Sequence, residues 1–285
     1  MNFSRAARGV RAIARPDLPI RRCVALVRGV RELGRVNRAL RRRYDVKHIT
    51  AIDRRDELVL HTRDTRRIPI HAARAVYLQY GEELFETIAR VLNDVGRPLG
   101  SVARVLDFAC GYGRITRFVL TQVPAACVTV SDISHDAVEF VKATFGVRGF
   151  DSVADPAELQ HDETYDVVLV VSLFSHLSLA PWRAWLRRLA RLVAKDGILL
   201  FSVHGPDLAD TLDPSHRAWT TMVADGFRFG AWNETRGRLA GEYYGTAYVS
   251  EAFVRRVIAE DGLGALVGRY PNALQGRQDL YVLRC

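Results

Sequence analysis

Cysteine is scarce in this chain: 285 residues contain 4, at Cys23, Cys110, Cys127 and Cys285. None stands in a C-x-x-C pair and none has the spacing to a histidine that a metal site needs, so neither a zinc-clamped nor a disulfide-stapled scaffold is implied. A reduced, cytoplasmic protein is the expectation. Long apolar runs are missing as well. No stretch reaches the roughly 18 apolar residues of a membrane span, and no arginine-free apolar block near the start resembles a secretory signal, so no transmembrane segment is expected. Internal repeats and low-complexity tracts are absent apart from a bias toward arginine. With 48% apolar residues, there is material for one full α/β domain plus an appendage.

A missing glycine says more than any of these. The run Val105-Leu106-Asp107-Phe108-Ala109-Cys110-Gly111-Tyr112-Gly113-Arg114-Ile115-Thr116-Arg117 passes from apolar residues through an acid and a two-glycine turn into a basic amphipathic stretch. It reads as strand, tight loop and helix. Glycines let the backbone turn with positive φ and bring N–H groups close to a bound small molecule, and the helix start adds partial positive charge. A dinucleotide fingerprint wants a third glycine three residues after the second, and Thr116 stands there. A carboxylate at Asp107 would also repel a pyrophosphate. S-adenosylmethionine, with a sulfonium, an ammonium and no phosphate, suits the acid better. Its ribose needs an acceptor for two hydroxyls. The β-rich run Ala126 to Asp132 ends in an acid 19 residues beyond Gly113, one helix plus one strand away. Asp132 would sit at a strand end with two oxygens free to accept, or else cap a turn.

On these residues the chain resembles the class I S-adenosylmethionine-dependent methyltransferases, from about Tyr80 onward and most strongly over Val105 to Val203. The resemblance implies a Rossmann-like α/β fold: a seven-stranded, mostly parallel sheet with an antiparallel last strand and helices on both faces. It implies S-adenosyl-L-methionine as cofactor, with contacts at Asp107, Ala109, Cys110, Gly111, Gly113, Asp132, Ile133, Asp155 and Ser172. The family pattern has glycine where this chain has Ala109, and a methyl group there resists a positive φ.

Further strands follow in the order such a fold requires. A helix from Ser134 to Phe145 precedes a short strand at 147–150 and a turn at Asp155-Pro156. There Asp155 either accepts from the adenine amino group or simply starts the turn. Tyr165 to Val171 reads as a central strand covered on both faces. Ser172-Leu173-Phe174-Ser175-His176-Leu177 leaves its carboxyl end, where the ligand crevice of an open α/β sheet lies. A helix then runs to Ala194, Asp196-Gly197 turns the chain, and a fifth strand, 198–203, ends in His204. His176 and His204 thus leave neighbouring strands and are the candidate catalytic bases for a hydroxyl or amine acceptor; the plainer role for each is packing or capping.

Charge is uneven. Residues 1–75 carry 20 Lys and Arg against 7 acids, a net +13, which leaves −4 for the rest. Cys23, Leu26, Val27, Val30, Leu33, Val36 and Leu40 recur at helical steps, flanked by Arg28, Arg31, Arg35, Arg38 and Arg41 to Arg43. This basic amphipathic helix either packs on the core, rests on an anionic membrane surface or holds a nucleic acid. An organelle transit peptide fits less well, since Pro16 and Pro19 interrupt it early. Residues 45–69 read as a linker or small hairpin with β-like pieces such as Leu58-Val59-Leu60. The expected division is a basic N-terminal extension over 1–70 and a methyltransferase domain over 71–285.

A helix from about Ala72 to Val95 precedes the core, with Tyr80 and Gly81 near the methionine end of the cofactor or else in plain packing. The segment 205–249 is rich in aromatics, among them Trp219, Phe227, Phe229, Trp232 and Tyr248, and is too long for a plain connection, so it reads as a substrate lid. Tyr243 and Tyr244 either shape the acceptor pocket or pack across strands. Ser250 caps a helix to Ala259, and 265–270 with 278–283 form a final antiparallel pair. The sequence therefore points to methyl transfer onto an oxygen or nitrogen of a small-molecule acceptor, a specialised metabolite or sugar. A nucleic-acid methyltransferase and a non-catalytic cofactor-binding regulator are the alternatives.

Overall fold

The computed structural model describes residues 17–211, 220–231 and 243–285. Its centre is the β-branched run foreseen as a doubly covered strand, β4 (Tyr165–Val170), in which only Asp166 is not buried. Val167 and Leu169 face one core cluster while Val168 and Val170 face the other, as the two-residue period of a strand requires. Parallel to β4 run β1 (Val105–Phe108) on one side and β5 (Val193–His204) on the other. Beyond β1 lie β2 (Val128–Asp132) and β3 (Arg148–Asp151); beyond β5 come β10 (Gln278–Arg284), antiparallel, and β9 (Ala265–Leu274). These seven strands form the expected sheet with its reversed last strand. Three more come from the segment read as a lid: β6 (Thr221–Ala224), β7 (Phe227–Gly230) and β8 (Thr246–Val249). They extend the sheet to 10 strands, with β8 meeting β5 at the pair His204 and Tyr248. Trp219 and Trp232 lie outside the described residues.

Helices cover both faces. One side holds α3 (Ile70–Asp94), α4 (Thr116–Val119) and α5 (His135–Phe145), contributing Leu78, Ile88, Phe118 and Val141 to the core. The other holds α6 (Leu179–Ala190) and α8 (Glu251–Glu260), which bury Trp182, Leu186, Phe253 and Val257. Gly146 ends α5 in the left-handed region at φ 69°, and Ser250 caps α8 through its hydroxyl, 3.2 Å from the Phe253 N–H. A short helix, α7 (Pro206–Thr211), opens the lid segment. The helix expected to reach Ala194 stops at Ala190. Asp196 and Gly197 lie inside β5, at an irregularity in its pairing with β4.

The N-terminal extension departs most from expectation. In α1 (Asp17–Arg43), Val36 and Leu40 are buried and Leu33 packs beside them, and an added Cβ on Gly29 would lie 3.2 Å from the Ala72 backbone nitrogen of α3. The first half of the same apolar stripe is uncovered: Val24, Leu26, Val27 and Val30 are 62%, 47%, 51% and 49% exposed. Residues 57–66 are neither linker nor hairpin but α2 (Glu57–Arg66). Asp56 decides this, because its Oδ1 accepts from the N–H groups of Leu58 and Val59 at 3.0 and 3.3 Å and so nucleates a helix through residues of β-like composition. Among the described residues no helix is long and apolar enough to cross a membrane.

The basic amphipathic helix expected after the glycine loop is also corrected. Only one turn is helical, and Arg117 is completely buried. Its guanidinium donates to the carbonyls of Ile49, Ala51, Tyr112 and Gly113 at 3.0, 2.5, 3.1 and 2.9 Å. One side chain thereby fastens the extension to the glycine loop. Its flat face lies 5.3 Å from the Tyr77 ring and 5.5 Å from that of Phe145.

Candidate active site

The carboxyl ends of β1, β2, β4 and β5 open onto one cavity of about 600 Å³. Two of these strands turn there through strained backbone. Ala109, after β1, has φ 59° and Ser172, after β4, has φ 68°. The Ala109 methyl therefore does not prevent the left-handed turn; the residue adopts it at a cost of about 1 kcal/mol or more. The Ser172 N–H is held by the Ser202 hydroxyl at 2.8 Å, which stabilises the second turn.

Besides its tie to the extension through Arg117, the glycine loop is bonded to β2. Cys110 N–H donates to the Ser131 carbonyl at 3.0 Å, and Gly111 N–H donates to Asp132 Oδ2 at 2.8 Å. The other oxygen, Oδ1, accepts from Ser134 N–H at 2.9 Å. Two backbone donors thus aim the Asp132 carboxylate while each oxygen keeps acceptor capacity for a ligand. Burial pushes this carboxyl above its ordinary range, and the N–H donors oppose that shift. Ile133 beside it is 46% exposed and lines the cavity, as do Ala109, Cys110, Gly111 and Val153. Gly111 sits at φ 53°, and a Cβ on it would touch nothing within 4 Å. Gly113 instead faces protein, where a Cβ would lie 3.1 Å from Val141 Cγ2.

Besides Gly113, two predicted contacts lie off the cavity wall. Asp107 is 2% exposed and sits behind the loop, accepting from the Thr116 hydroxyl at 2.6 Å. Burial lifts its carboxyl to about 6. Thr116, the residue standing where a dinucleotide fold needs glycine, is therefore the partner of the strand-end acid. Asp155 is not part of the cavity wall; its carboxylate accepts from Ala157 N–H at 2.9 Å and caps a short turn.

At the far end His176 and His204 come together, their ring centroids 6.0 Å apart. His176 Nδ1 donates to the Gly245 carbonyl at 2.9 Å, and Tyr244 stacks on the ring at 5.1 Å. His204 packs near Tyr248 at 5.6 Å, and Gln278 Nε2 lies 3.5 Å from its Nε2. Gln278 itself bridges Ser172 and Ser202. Tyr243 and Tyr244 both line the cavity, with Tyr243 54% exposed. Sequence reasoning missed the wall from the N-terminal half: Asp56, Glu57, Leu58 and His61 of the α2 region, and Tyr77 and Leu84 of α3. The only signal was an Asp just before Leu58-Val59-Leu60, a helix cap hidden by apolar residues of the wrong period.

A family profile described as a methyltransferase domain matches residues 80–237. The chain belongs to this methyltransferase family. It is similar to a malonyl-[acyl-carrier protein] O-methyltransferase of Bacillus anthracis, 28% identical over 148 residues, 51% of this chain and 54% of that protein. It is also similar to a trans-aconitate 2-methyltransferase of Methylobacterium nodulans, 29% identical over 173 residues, 58% of this chain and 62% of that protein. The chain thus spans between half and two thirds of the length of these two relatives. A solved magnesium protoporphyrin IX methyltransferase from Synechocystis with bound S-adenosylhomocysteine shares the fold, at a TM-score of 0.51 and 16% identity, over 74% of this chain and 87% of that one.

The chain thus carries a methyltransferase domain, and its cavity has features that S-adenosylmethionine requires. An oriented carboxylate at Asp132 suits vicinal ribose hydroxyls, the uncovered Ile133 beside it suits an aromatic base, and open space above Gly111 leaves room for backbone approach.

Proposed function

We propose that this methyltransferase acts on an oxygen or nitrogen of a small-molecule acceptor, a specialised metabolite or sugar, bound between His176, His204 and Tyr244. One observation carries the reading. A carbonyl can only accept, so the Gly245 carbonyl at 2.9 Å places the His176 proton on Nδ1 and leaves a lone pair on Nε2. The second imidazole stands 6.0 Å away at a steep angle, so an acceptor hydroxyl or amine between them meets a base as it attacks.

The bound cofactor supplies a methyl group made electrophilic by its sulfonium. The chain's own contribution is alignment and proton removal. Asp132 and Ile133 would hold the ribose and the base, and the rigid loop at Ala109 to Gly111 would fix their distance from the histidines, which governs in-line attack. Tyr244, flat against His176, would restrict how the acceptor enters. Agreement with the two relatives is partial: one is named for O-methylation of malonyl-[acyl-carrier protein], the other for methylation of trans-aconitate. The test is a labelled-methyl screen over acceptor classes, followed by His176→Ala and His204→Ala. The double variant is expected to lose on the order of 100-fold or more in kcat. Unchanged turnover by the double variant would remove both histidines from the chemistry. Cofactor binding with no transfer to any class would favour the regulator.

The uncovered half of the α1 stripe supports a second property, peripheral contact with an anionic membrane surface. Val24, Leu26, Val27 and Val30 stand exposed beside Arg28 and Arg31. Sedimentation with vesicles containing phosphatidylserine, weakened by salt and by Val27→Asp, is the expected result. Binding to RNA in preference to vesicles would replace this contact with a nucleic-acid one.

A further inference from the structure

Two polar side chains on the inner wall of the cavity lack the partners that buried polar groups ordinarily have, and a third, Arg114, stands with them. Asp56 is 3% exposed; its Oδ1 caps α2, and its Oδ2 has no hydrogen-bond partner. Tyr77 is also 3% exposed, and its hydroxyl lies beside Asp56 without a hydrogen bond of good geometry to it or to anything else. Arg114, from the loop end of the glycine turn, lines the same wall and forms no ion pair with Asp56. Burial pushes the Arg114 guanidinium below its ordinary range and the Asp56 carboxyl above its own, so each is held where its charge is poorly solvated. A buried acid and a half-buried guanidinium on one wall, without an ion pair between them, is a costly arrangement in the free protein.

The wall is rigidly built. Gly81 of α3 admits the Arg114 backbone, since a Cβ there would lie 2.8 Å from the Arg114 carbonyl oxygen and 3.1 Å from its Cγ. On the other side Arg117 fastens the carbonyls of Ile49 and Ala51, a few residues before Asp56, to the glycine loop. Close packing at Arg114, the cap made by Asp56 Oδ1 and the Arg117 guanidinium over the Tyr77 ring therefore preposition the three groups.

We propose that Asp56, Tyr77 and Arg114 form the subsite for the amino-acid end of S-adenosylmethionine, with Asp56 Oδ2 accepting from the α-ammonium and Arg114 and the Tyr77 hydroxyl donating to the α-carboxylate. A purely anionic ligand would be repelled by Asp56 and a purely cationic one by Arg114, whereas a zwitterion satisfies all three. The N-terminal extension is then part of the cofactor site, and a boundary drawn at residue 70 cuts through it.

Calorimetry with two ligands tests this without any acceptor. S-adenosylhomocysteine carries the zwitterion; 5′-methylthioadenosine keeps the nucleoside and thioether and lacks the amino acid. Asp56→Asn preserves the helix cap, because Asn caps as well as Asp, and removes the charge. The expected result is a loss of roughly 30-fold in S-adenosylhomocysteine affinity, the size of one hydrogen bond to a charged group, with 5′-methylthioadenosine binding unchanged. Tyr77→Phe is expected to lose about fivefold with the same selectivity. Equal losses for both ligands would mean that Asp56 only shapes the fold, and wild-type affinity for S-adenosylhomocysteine in Asp56→Asn would overturn the subsite.

Discussion

The two ends of the cavity are built in opposite ways. The ribose end comes from one continuous run, β1 to the start of α5, whose parts hold one another by short bonds from Gly111 and Ser134 to Asp132. The acceptor end is assembled from the ends of β4 and β5 and from residues 243–245, which meet only when the sheet has formed. Local geometry secures the first; tertiary assembly secures the second. Cofactor binding should therefore survive changes that ruin acceptor recognition, and each substitution below asks where that separation fails.

The largest effect is expected at Arg117, which denies the ribose end full independence by joining it to the extension. Arg117→Met leaves the carbonyls of Ile49, Ala51, Tyr112 and Gly113 without this donor. The cost is on the order of 4 kcal/mol, a fall of roughly 10 °C in Tm by thermal unfolding. A shift of only a degree or two would mean that the loop stands without the extension. Next comes Asp132→Ala, which removes the proposed ribose acceptor and the anchor of two N–H groups. Affinity for S-adenosylhomocysteine should fall about 100-fold by calorimetry. A loss below threefold would place the ribose elsewhere.

Asp107 gives a prediction in pH. Its carboxyl is lifted to about 6 by burial, above the roughly 3.9 of an unfolded chain, so the folded state holds the proton more tightly. Its contribution to stability is complete below about pH 4 and is lost as pH rises through about 6, a change on the order of 3 kcal/mol. Asp107→Asn keeps the acceptor for Thr116 and removes the titration. Denaturant unfolding should show the variant gaining on the wild type between pH 4 and 6, with a constant difference above. Asp56, also raised by burial, is common to both proteins, whereas Asp132 lies close enough to raise Asp107 and belongs to the same difference. Parallel profiles would show that Asp107 stays ionised throughout. The smallest effect belongs to Tyr243→Ala at the exposed rim: an acceptor KM raised about threefold, with kcat and cofactor affinity unchanged. A loss of cofactor affinity there would join the two ends after all.

The same division explains what could be read in advance. The β1 loop, the strand-end acids, the β4 run, the positions of both histidines on neighbouring strands and the reversed final strand follow from short-range period and spacing. The seven-stranded frame as a whole came from the resemblance to the methyltransferases that these residues carry. Arg117 looked like the exposed face of a basic helix because nothing nearby in sequence reveals that the carbonyls of Ile49 and Ala51 arrive to meet it. Asp107 looked like a ligand contact because spacing fixes its strand position but not the Thr116 hydroxyl that claims it. Residues 57–66 were opaque because Leu58, Val59 and Leu60 carry β-like composition, and only the cap at Asp56 outweighs it. The three added strands were hidden in a segment whose alternation is weak.

The ribbon of β6, β7 and β8 joins the rest of the sheet through the pair His204 and Tyr248. The chain entering β8 is also bonded by backbone to the segment after β4, with Gly245 N–H on the His176 carbonyl at 2.7 Å and Ala247 N–H on that of Ser175 at 2.8 Å. Both attachments bear on a histidine, and neither involves Asp132. The ribbon also buries Phe227, Ala247 and Val249 in the core that holds Trp182 and Phe253, so it is a fixed wall that seats both imidazoles. Loosening that packing would shift both imidazoles at once and leave the Asp132 carboxylate held by Gly111 and Ser134 as before.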